Sequence, residues 1–102
     1  MLEPIYRNRT YKFSYPITVN GVQVDVSGDA VWFSMDKEKE AAEPKLRLVM
    51  DVSSGIPVIE LTPTQTKELE LAEYYVGINW ILDNTDEDYQ VLFDRVKVIP
   101  AV

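Results

Sequence analysis

The chain contains no cysteine and no histidine. Without cysteine there are no disulfides, thiol nucleophiles or thiolate metal sites, and the fold must stand on its core, as in a reducing cytoplasm. Without histidine the commonest general base and the commonest transition-metal ligand are missing. Zinc, haem and Ser-His-Asp chemistry are therefore excluded by inventory. No apolar run approaches the roughly 18 residues of a membrane-spanning helix. Met1-Leu2-Glu3-Pro4 carries neither a basic region nor an apolar stretch, so no signal peptide is expected. Cations are scarce, 10 Lys and Arg against 17 Asp and Glu, for a net charge of −7. Such a surface repels nucleic acid, and neither nucleic acid nor membrane is expected as a partner. The short basic cluster Arg7, Arg9 and Lys12 reads as a solvated strand edge.

What the chain does have is alternation. Tyr11 to Tyr15, Val22 to Val26, Val31 to Met35 and Leu46 to Met50 each alternate apolar and polar residues. Strands place successive side chains on opposite faces, so period-two patterning predicts half-buried β-strands. At 102 residues and 46% hydrophobic content the sequence predicts a single domain over residues 1–102 with a real core.

The punctuation predicts the order of elements. Residues 1–8 are a lead-in held by Ile5 and Tyr6. A strand over 9–15 is interrupted at Pro16 and resumes over 17–19. Asn20-Gly21 predicts a two-residue hairpin, because both central positions of that turn need positive φ. Strands follow over 22–26, 30–35, 46–52 and 56–61, with a charged solvated loop over 36–44. Thr62-Pro63-Thr64-Gln65 predicts a short helix from Pro63 to Leu69, with Thr62 as cap, Pro63 at the first helical position and Gln65 completing a capping box. The helix crosses between sheets, with Leu69 or Leu71 plugging the end of the core. The longest strand is expected over 73–82, an acidic turn over 83–88, its hairpin partner over 89–93 and a final strand over 96–99. Short strands with a turn signal every 8 to 12 residues predict a sandwich or barrel. The expected core is Phe13, Val24, Val31, Phe33, Leu48, Ile59, Leu61, Tyr74, Val76, Ile78, Trp80 and Val98, with Tyr74 bonded to nearby backbone as a corner tyrosine.

Few residues suggest chemistry. The acidic turn invites a calcium loop, but with Asn84, Asp86 and Asp88 as first ligands the glycine position is Tyr89 and the closing glutamate position is Arg95. A solvated hairpin turn fits better. Nothing marks a cleft that would hold two carboxylates for glycoside hydrolysis. No cofactor, metal or catalytic residue is assigned, and the protein is expected not to be an enzyme. The aromatics are more informative. If Val31, Phe33 and Met35 face the core, Trp32 faces outward. If Tyr74, Val76, Ile78 and Trp80 are core, Tyr75 and Ile81 face outward with it. Trp32, Tyr75 and Ile81 are the candidate interface, because exposed aromatic patches mark contact surfaces. The alternative is that a loop or the N-terminal segment covers them.

Arg7-Asn8-Arg9-Thr10-Tyr11-Lys12-Phe13, then Asn20-Gly21, then Val24 to Phe33, resemble the opening of small bacteriophage structural proteins. Leu61-Thr62-Pro63-Thr64-Gln65-Thr66 and Tyr74-Tyr75-Val76-Gly77-Ile78 resemble their second half. These are immunoglobulin-like β-sandwich modules of phage tails and baseplates, similar to the N-terminal domain of upper baseplate proteins. The resemblance covers nearly the whole chain. It implies an all-β, immunoglobulin-like antiparallel β-sandwich with one short helix. It implies a virion structural protein of tail, baseplate or neck, assembled in the host cytoplasm and contacting other virion proteins as symmetric copies. The pattern has a turn glycine near position 8, where Asn8 can adopt the same left-handed conformation, and an acidic residue at Gly77, whose absence removes any polar contact there. A capsid decoration protein and a carbohydrate-binding adhesin module, with Trp32 and Tyr75 stacking on sugar rings, are the alternatives.

Overall fold

The structure, a computed structural model, describes residues 1–39, 43–83 and 87–101. Parts of the expected charged loop and of the acidic turn, including Asn84 and Asp86, lie outside the described residues. Among the described residues the fold is all-β apart from one short helix. The strands are β1 (Ile5–Tyr6), β2 (Tyr11–Ser14), β3 (Thr18–Val19), β4 (Val22–Gln23), β5 (Ala30–Asp36), β6 (Leu46–Val49), β7 (Val58–Leu61), β8 (Glu73–Ile81) and β9 (Asp88–Ile99). The helix α1 (Pro63–Lys67) lies between β7 and β8.

The main sheet has the order β1-β9-β8-β5-β6; β2 pairs with β7, and β3 with β4. Alternation decides which side of the main sheet is core. On β5, Val31, Phe33 and Met35 are buried while Trp32 and Ser34 are only partly so. On β8, Tyr74, Val76, Ile78 and Trp80 are buried on the same side. The β2–β7 pair closes over that side. Tyr11 lies opposite Leu61 and Phe13 opposite Ile59, and Ile59 and Leu61 share one apolar cluster with Phe33 and Val76. Tyr15 ties the layers together, its hydroxyl donating to the Val91 carbonyl of β9 at 3.1 Å.

Local signals act where the sequence places them. Asn20 and Gly21 have φ of 51° and 79°, as the β3–β4 turn requires, and Asn8 has φ of 66°. At α1 both arms of the capping box form: Thr62 Oγ1 accepts from the Gln65 amide at 3.2 Å, and Gln65 Oε1 accepts from the Thr62 amide at 2.8 Å. Leu69, not Leu71, is the plug, at 2% exposed against 53%. Tyr74 is the expected corner tyrosine, its hydroxyl accepting the Glu70 amide at 2.9 Å.

Four expectations are corrected. The segments 89–93 and 96–99 are one strand, because β9 runs unbroken along β8 and β1. It is therefore β9, not β8, that is longest, at 12 residues against 9. The arrangement is not wholly antiparallel: β1 runs parallel to β9, with Ile5 opposite Val98. Ile5 is fully buried there, and Tyr6, though its side chain is exposed, pairs with Ile99. Finally, Phe13, Val24 and Leu48 pack only at the edge of the core, while Ile5, Ile17, Val26, Met35, Met50, Leu69 and Val96 complete it. Of these, Ile17, Val26, Met50 and Leu69 lie outside the strands, where period-two patterning assigns no face, whereas Met35 and Val96 lie within β5 and β9.

Candidate functional site

The outer face of the main sheet, turned away from β2 and β7, carries all three candidate interface residues. Trp32 lies opposite Asn79 on β8 and Val49 on β6; Ile81 lies opposite Ala30; Tyr75 lies opposite Asp36. Since β8 rises about 3.3 Å per residue, Tyr75 and Ile81 are about 20 Å apart along it. The face therefore carries two apolar patches rather than one. Each of the three is half-buried.

Two further residues complete the patches. Val49, 58% exposed, extends the Trp32 end. Phe93, 41% exposed, stacks on Tyr75 with ring centroids 5.8 Å apart and planes inclined by 20°. Phe93 could not be placed by parity. Tyr89 and Phe93 should share a face on a regular strand, yet Tyr89 lies opposite core-side Trp80 and Phe93 opposite outward Gly77. The register shift beside Ile78 and Asn79 inserts one residue into β9 and turns everything after it over. No local signal in the sequence marks that bulge.

Two cations lie over these aromatics, one of them from the charged loop that follows β5. The Arg47 guanidinium sits 4.4 Å from the centre of the Trp32 ring, and Lys39 Nζ lies 5.5 Å from the centre of Phe93. Ring quadrupoles attract such charges. Long basic side chains also shield apolar rings with their stems while keeping the charge in water. Between the patches the sheet dips over Gly77, where a Cβ would come within 3.3 Å of Ser34 Oγ. The resulting hollow, lined by Asp36, Gly77, Gln90 and Phe93 among others, is about 60 Å³. That is well below the roughly 300 Å³ at which small-molecule sites begin.

At the edge of the hollow, Asp36 accepts the Glu38 amide at 2.8 Å and the Lys45 amide at 2.7 Å. These bonds, the Glu38 amide foremost, hold its carboxyl below the usual range. Asp36 is thereby committed to fixing the ends of the β5–β6 connection. Lys37 and Glu70 form an ion pair nearby, which lowers the Glu70 carboxyl and raises the Lys37 ammonium. Among the described residues, no three carboxylates gather as a metal site would require, and no helix is long and apolar enough to cross a membrane. Neither a protein-family model nor a curated protein matches this chain.

Proposed function

We propose that this protein is a non-enzymatic structural component of a bacteriophage virion, of the tail, baseplate or neck, built as an immunoglobulin-like sandwich and working through protein–protein contact. Connectivity supports the fold. Taking β2 as strand B, β5 as C, β6 as C′, β7 as E, β8 as F and β9 as G, the main sheet has the G-F-C-C′ order of a variable-type domain, and B pairs with E. The Tyr74–Glu70 bond sits at the entry to F, where such domains carry their tyrosine corner.

The observation that carries the function is the outer sheet face, with Trp32, Tyr75, Phe93, Val49 and Ile81 spread over a surface whose hollow at Gly77 is only about 60 Å³. Tyr, Trp and Arg dominate the centres of protein interfaces, and Trp32 with Arg47 presents that combination. Stacking on a sugar needs an open ring face, and Arg47 lies over that of Trp32. This favours a protein partner over the adhesin reading.

The test is incorporation. Trp32→Ala should leave a folded domain but reduce the amount of protein found in purified particles by tenfold or more, corresponding to the roughly 2 kcal/mol of a central interface aromatic. Full incorporation of a folded Trp32→Ala protein removes the face from the proposal. Binding of the isolated domain on a glycan array would favour the adhesin instead. Neighbouring tail or capsid genes would separate a tail position from capsid decoration.

A further inference from the structure

Charge is segregated along this chain. Lysine and arginine are absent from 13–36, 48–66 and 68–94, and all 10 fall in the stretches between. The fold gathers turns of the three cation-free stretches at one end. There the Val26 amide donates to the Gly55 carbonyl at 3.3 Å, Asp29 accepts the Asp83 amide at 3.1 Å, and Ala30 lies opposite Ile81. Asp25, Asp29 and Asp83 stand at this end. The ion pairs of the described residues, Met1 with Asp94, Lys37 with Glu70 and Arg95 with Glu73, involve none of them.

A groove of about 450 Å³ opens at the same end. Its walls are Ile17 and Val19 at β3, Trp80 and Leu82 at the end of β8, and Tyr89 and Val91 at the start of β9. Unlike the hollow at Gly77, it falls within the roughly 300 to 1,000 Å³ of ligand sites. Val19 and Tyr89 are 46% and 47% exposed, and Val22, paired with Val19 at the hairpin tip, is 68% exposed. The polar atoms of the two aromatics are already engaged by acids. Trp80 Nε1 donates to Asp29 at 2.9 Å, and Tyr89 donates its hydroxyl to Glu87. Asp83 follows directly on the wall residue Leu82. The groove is thus apolar within and bordered by carboxylates.

Each part selects for a different property of the occupant. A small polar ligand needs converging polar groups inside its site, and the aromatics here have none to spare. An apolar side chain needs only the walls. Lysine or arginine beside that side chain would face Asp29 and Asp83, to which this end of the fold supplies no cation. We infer that the groove docks a segment of a different protein, an apolar side chain flanked by lysine or arginine. The net charge of −7 draws such a segment in from a distance and sets two copies of this chain against each other. The inference uses neither the Trp32 face nor the virion assignment, so either can fail alone.

The probe is the peptide Ac-Lys-Lys-Leu-Lys-Lys-NH2, titrated at low salt into the isotope-labelled full chain and followed by NMR. The chain has two tryptophans, one on each surface, so their indole resonances report separately. The Trp80 resonance and the Val19 amide should shift saturably, with a Kd of about 1 mM or below, while Trp32 stays still. Replacing the peptide's leucine by glycine should weaken binding about tenfold or more, and replacing its lysines by glutamate should abolish it. Val19→Lys, which puts a cation and a long stem into the groove, should weaken binding of the leucine peptide about tenfold or more. Val49→Lys, the same charge change on the Trp32 face, should leave it unchanged. If Val19→Lys fails to fold, the exposed Asp83→Lys takes its place. No saturable shift at Trp80 up to about 10 mM peptide overturns the inference. So does equal binding of the glycine peptide, equal loss in Val49→Lys, or a shift at Trp32 in place of Trp80. Self-association of the wild type in sedimentation velocity that Val19→Lys abolishes would give the groove to a second copy and overturn it as well.

Discussion

Arg47 lies across the half-buried ring of Trp32, 4.4 Å from its centre, on neighbouring strands of the main sheet. The pairing turns an outward tryptophan into a surface that tolerates water yet can be desolvated by a partner. Trp32 and Trp80 should therefore respond very differently to truncation. Trp80 is 8% exposed and donates to Asp29, so Trp80→Ala should cost about 3 to 5 kcal/mol. Trp32→Ala and Arg47→Ala should each cost about 1 kcal/mol or less. Urea denaturation of the three variants checks this. A Trp32→Ala protein as unstable as Trp80→Ala would mean that Trp32 belongs to the core.

Tyr74→Phe keeps the buried ring but removes the acceptor of the Glu70 amide. Leaving that partly buried donor unpaired should cost about 1 to 3 kcal/mol. Hydrogen exchange at the Glu70 amide should accelerate in the variant. Unchanged exchange would show that the bond does not persist in solution.

Gly55 and Gly28 form a matched pair. Gly55 has φ of 86°, and a Cβ there would lie 2.9 Å from Asp25 Oδ1; at Gly28 a Cβ meets open space. Gly55→Ala should destabilise by about 1 to 3 kcal/mol through backbone strain and displacement of Asp25. Gly28→Ala should change stability by no more than about 0.5 kcal/mol. Thermal melts of both variants against wild type measure the contrast.

Acid should destabilise the fold through its turn aspartates. Asp25 and Asp51 each accept a backbone amide two residues on, from Ser27 at 2.9 Å and Ser53 at 3.0 Å, and these bonds lower both carboxyls. A lowered folded value stabilises above the ordinary 3.8, and that contribution is lost as pH falls from there through the lower folded value. Stability should thus drop below about pH 4, and Asp25→Asn with Asp51→Asn should flatten the drop. At the other extreme, burial and then Glu3 raise the Tyr11 hydroxyl, so its contribution is complete below 10.0 and is lost at still higher pH. Denaturant midpoints across a pH series decide both edges.

The sequence by itself determined what depends on near neighbours in the chain. Alternation along β5 and β8 assigned Val31, Phe33, Tyr74, Val76, Ile78 and Trp80 to the core and turned Trp32, Tyr75 and Ile81 outward, because a strand's faces alternate residue by residue. Asn20-Gly21 and Thr62-Pro63-Thr64-Gln65 encoded their turn and cap, since each satisfies its geometry within four residues. Tertiary structure alone decided what depends on partners distant in sequence. The parallel pairing of Ile5 with Val98 joins residues from opposite ends of the chain, and no local pattern encodes it. The bulge in β9 exists only relative to β8, yet it moves Phe93 to the outer face beside Tyr75. Two surface hollows were invisible for the same reason: Val19, Trp80 and Tyr89 line one only because β3, β8 and β9 converge there, and Arg7, Lys67 and Leu71 line the other only because α1 returns to the N-terminal segment.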